Sequence, residues 1–142
     1  MRFWDSSAVV PLLLDETVTS SVLTLYRRDT AVLAWWGTRI ECVSAVCRLE
    51  RQGKLSEDAA MTALTNLDLF VRSWNEIQPV EEVRETAARF LRVHDLRAAD
   101  AFQLAAAFLA SERQPSSLEF VCLDGRLSAA AKREGFTLTR VA

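Results

Sequence analysis

The chain predicts an α/β fold, a mainly parallel sheet covered by helices on both faces. Two observations lead there. Five short apolar runs are spread along the 142 residues, and the stretches between them carry helical period. Short strands alternating with helices are the pattern of a parallel sheet buried on both sides. The length fits one domain, residues 1–142, with a real core.

Arg2–Asp5 reads as the first buried strand. Ser6–Leu14 follows as a helix with Asp5 or Ser6 near its N-cap; Pro11 is expected to end it, kink it, or mark its first turn if it starts later. Thr17–Arg28 places Val18, Val22 and Leu25 on one helical face, Ala31–Trp35 is a second strand, and Gly37 breaks the chain. Thr38–Gln52 is a helix carrying Ile40, Val43, Val46 and Cys47 at helical spacing. Ser56 caps the next helix, which runs to about Val71.

Trp74–Ile77 is a weak strand. Pro79 then opens a helix through Val83, Ala87 and Phe90, at the position proline tolerates. Leu96–Ala110, rich in Ala and Leu and free of breakers, is the strongest helix. The loop at Pro115 is too short to divide domains. Leu118–Leu123 is a strand, Asp124-Gly125 a turn, Leu127–Arg133 a helix stopped by Gly135, and Phe136–Val141 the last strand.

Composition narrows the function. Half the residues are hydrophobic and a quarter charged, an ordinary globular balance. No apolar stretch is long enough to span a membrane. The N-terminus runs straight into Asp5 without a leader-like segment, so an unprocessed, cytoplasmic chain is expected. Cys42 and Cys47 lie five apart on one predicted helix and point apart, no CxxC pair occurs, and the lone His94 cannot complete a zinc site; reduced, structural cysteines are expected. The formal net charge of −2 is not that of an overt nucleic-acid binder, yet 15 of the 17 basic residues are Arg. Arg grips phosphate with paired hydrogen bonds, although a GC-rich genome would produce the same bias.

Four acids stand apart: Asp5, Glu41, Asp100 and Asp124. Asp5 and Asp124 follow predicted strands, at the edge where open parallel sheets bind ligands. Glu41 lies in the first turn of a helix, and Asp100 interrupts the apolar stripe Leu96, Gln103, Leu104, Ala107. Clustered carboxylates repel one another unless a cation joins them, so the set points to a divalent metal and phosphate chemistry. Each acid also has a purely structural reading. Asp5 suits a helix N-cap; Thr38 to Glu41 matches a capping box; Asp124-Gly125 suits a turn; Asp100 could pair with Arg97, but a pocket role is favoured because a carboxylate beside a core face needs a partner. His94 is expected at the surface. Trp35 and Trp36 are expected in the core or at an interface, facing opposite ways.

The order of these motifs resembles the PIN-domain ribonucleases, and among them the VapC-type toxins of toxin–antitoxin pairs. The matching segments are Phe3-Trp4-Asp5-Ser6-Ser7-Ala8, the Glu41 helix, Leu96-Arg97-Ala98-Ala99-Asp100-Ala101, and Leu123-Asp124-Gly125-Arg126-Leu127 continuing to Phe136. The resemblance implies a three-layer α/β/α PIN-like sandwich with about five strands. It implies a pocket of Asp5, Glu41, Asp100 and Asp124 holding Mg2+ or Mn2+, with Ser6 and Ser7 supporting it. It further implies cleavage of single-stranded RNA, a homodimer, and inhibition by a small VapB-like antitoxin in a heterotetramer or larger assembly. Arg97 and Arg126 are the candidates to position the RNA backbone.

Other classes fit less well. A phosphatase with a nucleophilic Asp5 would want a second Asp where Ser7 stands, and a phospho-acceptor domain would want a Lys on a late strand end, which is missing. A catalytically inactive PIN-like module that binds RNA or protein is the remaining alternative.

Overall fold

The computed structural model describes residues 1–141. Five strands form one wholly parallel sheet: β1 (Arg2–Trp4), β2 (Val32–Trp35), β3 (Asn75–Ile77), β4 (Glu119–Val121) and β5 (Thr137–Leu138). Their spatial order is β3-β2-β1-β4-β5. Register is fixed by pairs such as Phe3 with Leu33 on one side and Phe3 with Phe120 on the other. The seven helices are α1 (Ser6–Leu13), α2 (Thr19–Arg28), α3 (Thr38–Arg51), α4 (Glu57–Val71), α5 (Glu81–Val93), α6 (Ala98–Ala110) and α7 (Gly125–Arg133).

Strand alternation builds the three layers. Phe3, Leu33, Trp35 and Phe120 point to one face, where Phe90, Leu104 and Leu127 from α5, α6 and α7 complete a core. Their chain neighbours Trp4, Val32, Ala34 and Val121 point to the other, against residues of α1 to α4 such as Val9, Val22, Cys42 and Leu67. Successive side chains of a strand face opposite ways, so a strand buried on both faces must be apolar throughout, as these are. Phe3, Trp4 and Phe120 are fully buried, each contributing roughly 1.5–3 kcal/mol through removal from water. Truncating Phe3 or Trp4 of the central strand β1 to Ala should cost about 3–5 kcal/mol.

The predicted elements are all present, with shifted ends. The second helix begins at Thr19 rather than Thr17, α6 at Ala98 rather than Leu96, and β5 stops at Leu138. Arg97 takes an extended backbone and serves as the N-cap of α6, which removes Leu96 and Arg97 from the helix. Pro11 stays inside α1, in its second half, and the helix ends two residues later at Leu13. Proline there supplies no amide, so the carbonyl one turn back lacks its helical donor.

One expectation fails here. His94 is buried rather than superficial, and its Nε2 lies 2.6 Å from Glu134 Oε2. It caps the C-terminus of α5 and Glu134 caps that of α7, so the contact joins the ends of two helices that the sequence keeps forty residues apart. Trp35 is buried and Trp36 exposed, the opposite facing expected of strand neighbours. The cysteines are unpaired. Among the described residues, no helix is long and apolar enough to cross a membrane.

Candidate active site

The strand order reverses at β1. The chain builds outward to β2 and β3 on one side, then returns to add β4 and β5 on the other, and a crevice opens beyond the strand ends at such a reversal. Asp5 leaves β1 directly into that crevice, and its backbone amide donates to Val121 O of the neighbouring β4 at 3.0 Å. Asp124 lies three residues past the end of β4.

The four acids converge. Asp5, Glu41, Asp100 and Asp124 line one cavity of about 410 Å³, together with Ser6, Ser7 and Arg48. A second cavity of about 480 Å³ adjoins it, sharing Asp100 and Asp124, and is walled by Arg97 and Arg126. All eight site residues proposed from the sequence therefore gather at the C-terminal edge of the sheet. A separate apolar cavity of about 480 Å³ lies beyond Glu41, between Trp36, Ile40 and Val80. It shares Glu41 with the acidic cavity, but its other charged residues, Glu81 and Arg84, are paired with each other, so the acidic cavity holds the cluster suited to phosphate chemistry.

Asp5 is both an N-cap and a cavity wall. Its carboxylate accepts from the Ser7 amide at 3.1 Å, and Ser7 Oγ donates to its Oδ2. Ser7 Oγ in turn accepts from the amides of Leu123 and Asp124 at 2.8 and 3.2 Å. One hydroxyl thus clamps the segment after β4 to the start of α1. Ser6 Oγ lies 3.1 Å from Glu41 Oε1 and 3.4 Å from Asp5 Oδ1, a single hydroxyl between two carboxylates. Burial pushes the Asp5 carboxyl above its usual range, against the opposing pull of the Ser7 hydrogen bonds.

Glu41 does not form the expected capping box. Gly37, not Thr38, is the N-cap of α3, and it makes no side-chain cap. A side chain at Gly37 would put its Cβ 2.5 Å from Trp35 Nε1, so glycine lets the chain turn tightly over the indole into α3. The Glu41 carboxylate instead reaches sideways, accepting from Ser6 and, at 2.9 Å, from Gln103 Nε2 on α6. Burial first, and then the charges of Asp5 and Asp100, push its carboxyl up to about 7.

Gln103 is the residue that sequence reasoning missed. It is fully buried, donates to both Thr38 Oγ1 and Glu41 Oε2 at 2.9 Å, and leaves its Oε1 without a partner. The signal was present as a glutamine on the same apolar stripe as Asp100, three residues on. A buried amide needs partners as much as a buried carboxylate does.

Asp100 stands in the first turn of α6. Burial, then Asp124 and Asp5, raise its carboxyl; the backbone amide and charge of Arg97 act the other way. Asp124 caps α7, accepting from the Leu127 amide at 2.8 Å. The turn expected there is therefore a helix start. Among the described residues, no three Asp, Glu, His or Cys side chains stand close enough to cage an ion. The donors present are hard carboxylate and hydroxyl oxygens in a crowded, like-charged cleft. That set fits an ion which keeps much of its water and takes one or two carboxylates, as magnesium does, and does not fit a closed all-protein cage.

No protein-family model matches the chain, and no curated protein matches it. Solved structures do. FitAcB from Neisseria gonorrhoeae superposes with a TM-score of 0.68 at 16% identity, over 99% of this chain and 97% of that one. VapC20 of Mycobacterium tuberculosis, a sarcin-ricin loop cleaving toxin, gives 0.67 at 20% identity over 99% of both chains. FitAB bound to an IR36 DNA fragment gives 0.67 at 16% identity, over 98% and 94%. With its parallel five-stranded sheet between two helical layers, the chain has the three-layer α/β/α PIN-like fold of these proteins.

Proposed function

We propose that this chain is a divalent-metal-dependent endoribonuclease, the toxin of a VapBC-type pair, which hydrolyses phosphodiester bonds in single-stranded RNA. The observation that carries the proposal is the convergence of Asp5, Glu41, Asp100 and Asp124 on one cavity at the strand-order reversal. Acids drawn from positions so far apart in sequence, with three of their carboxyls pushed upward by burial and two of those, Glu41 and Asp100, also by neighbouring acids, are costly to hold together without a cation. The fold shared with VapC20, a loop-cleaving toxin, supports the same reaction class.

Asp5, Asp100, Asp124 and Glu41 are the candidate ligands for Mg2+ or Mn2+, one or two of them binding the ion directly and the others through its waters, with Glu41 also able to orient the attacking water. A bound divalent ion supplies a more acidic water and neutralises charge growing on the phosphate oxygens. Ser6 and Ser7 keep the Asp5 and Glu41 carboxylates in place, and Gln103 fixes the far oxygen of Glu41. Arg97 and Arg126, at the adjoining wall, would bind the RNA backbone. A homodimer, and a small VapB-like antitoxin that covers the cavity in a heterotetramer or larger assembly, follow from the toxin class.

The test is RNA cleavage with magnesium or manganese by the parent protein, Asp5→Asn and Asp100→Asn. Loss of one preorganised charge at a reaction centre typically costs on the order of 10²–10³-fold in rate, and that loss is expected for both variants. Cleavage undiminished in both would sink the assignment. The second reading, a catalytically inactive module, draws on the lack of a preformed ion cage among the described residues. It predicts no cleavage and no stabilisation by manganese.

A further inference from the structure

We propose that Arg48 is a phosphate-binding residue at the far end of a trough that carries single-stranded RNA across the acidic cavity. The inference rests on the nuclease function proposed above. Arg48 follows Glu41 by seven residues on α3, which places it on the same helix face and about 10 Å further along the axis. It lines the acidic cavity. The adjoining cavity shares Asp100 and Asp124 and ends in Arg97 and Arg126. The acids therefore occupy the middle of one continuous depression, with arginines at both ends.

Arg48, Arg97 and Arg126 are the arginines that line this depression, and like most arginines of the chain they carry no ion pair among the described residues. Arg2, Arg39, Arg84 and Arg113 each have a carboxylate within ion-pair distance. Arg48 has none, although five carboxylates, Glu16 included, line the cavity beside it. An unpaired guanidinium keeps its planar fork free for the paired hydrogen bonds that phosphate accepts. Arg48 also lies in the last turn of α3, where a cation suits the helix dipole. Arg51 fulfils that role equally and does not line the cavity, which makes it the natural control. A free phosphate or a mononucleotide would engage one end of the depression only. Arginines at both ends suit a strand with a phosphate on each side of the one being cut.

The experiment measures binding of a fluorescein-labelled single-stranded oligouridylate by anisotropy, with magnesium, in an Asp5→Asn background that binds without cutting. Dissociation constants are taken across a range of NaCl. Adding Arg48→Ala is expected to weaken binding several-fold and to lower the slope of log affinity against log salt by about 0.7, the share of one phosphate contact on a single strand. Arg48→Lys should restore the slope, and Arg51→Ala should leave it unchanged. Arg48→Ala combined with Arg126→Ala should remove about 1.4, two separate contacts. Arg48→Gln repeats the measurement if Arg48→Ala fails to fold. An unchanged slope in Arg48→Ala and Arg48→Gln, or an equal loss in Arg51→Ala, overturns the assignment while RNA cleavage by the parent protein keeps the nuclease function. A parent protein that neither binds nor cuts RNA overturns both.

Discussion

Gln103 Nε2 donates at 2.9 Å to Glu41 Oε2, fastening a carboxylate of α3 to the fully buried side of α6. The same amide nitrogen donates to Thr38, so one side chain fixes the first turn of α3 at two points. Gln103→Leu would leave Thr38 and Glu41 short of a donor in a dry setting. The expected cost is about 1–3 kcal/mol in urea unfolding. Because the Gln103 hydrogen bond pulls the Glu41 carboxyl down, its loss should also move the acidic limb of the cleavage–pH profile upward. An unmoved profile in a folded variant would show that Gln103 serves packing alone.

The raised Glu41 carboxyl makes stability depend on pH in an uncommon direction. Its ordinary value is 4.5 and its folded value about 7, so between these the folded state holds the extra proton. Stability is greatest below the unfolded value and falls as pH rises towards about 7. The full contribution has a ceiling of about 3 kcal/mol. Metal-free protein should therefore melt at a higher temperature at pH 5 than at pH 7.5, and Glu41→Gln should flatten that difference. Asp5 and Asp100, also raised, add slopes of the same sign.

A divalent ion should reverse the penalty at neutral pH. Manganese at a hundred times its dissociation constant would stabilise the fold by about 2.7 kcal/mol, read as a rise in Tm. Asp100→Asn removes a charge that Asp124 and Asp5 oppose. In metal-free protein at pH 7 it should leave Tm the same or higher, and it should lose most of the rise with manganese. A full manganese response in Asp100→Asn would remove Asp100 from the ligand set.

Ser7 ties two segments with one oxygen. It meets Asp5 and both the Leu123 and Asp124 amides. Ser7→Ala should cost about 1–3 kcal/mol and lower cleavage more than Ser6→Ala, because it frees the segment that places Asp124. Hydrogen exchange at the Leu123 and Asp124 amides would rise in the variant; protection equal to the parent's would rule out the clamp.

Much of this was legible from the residues. The three inner strands announced themselves because a parallel strand buried on both faces must be apolar, as Phe3-Trp4 and Phe120-Val121 are; the edge strands, Asn75–Ile77 and Thr137–Leu138, are more polar and more exposed and gave weaker signals. The four acids stood out because each broke or bordered an apolar run. What sequence could not supply was partner choice across the fold. Glu41 matched a capping box, yet it turned to Gln103 and Ser6 because Gly37, not Thr38, begins the helix. His94 looked superficial because its partner Glu134 belongs to another helix. Arg48 carried no signal of its own in the sequence; only the fold, with α1 and α6 supplying the opposite wall, brings it to the cavity.

The central strand β1 pairs with β4 through Arg2 with Glu119, residues from opposite ends of the chain. A ribosome making this protein would hold Asp5 long before Asp124 exists. The four acids cannot meet until β4 has been synthesised and has docked beside β1. A growing chain therefore carries no assembled centre until the sheet closes.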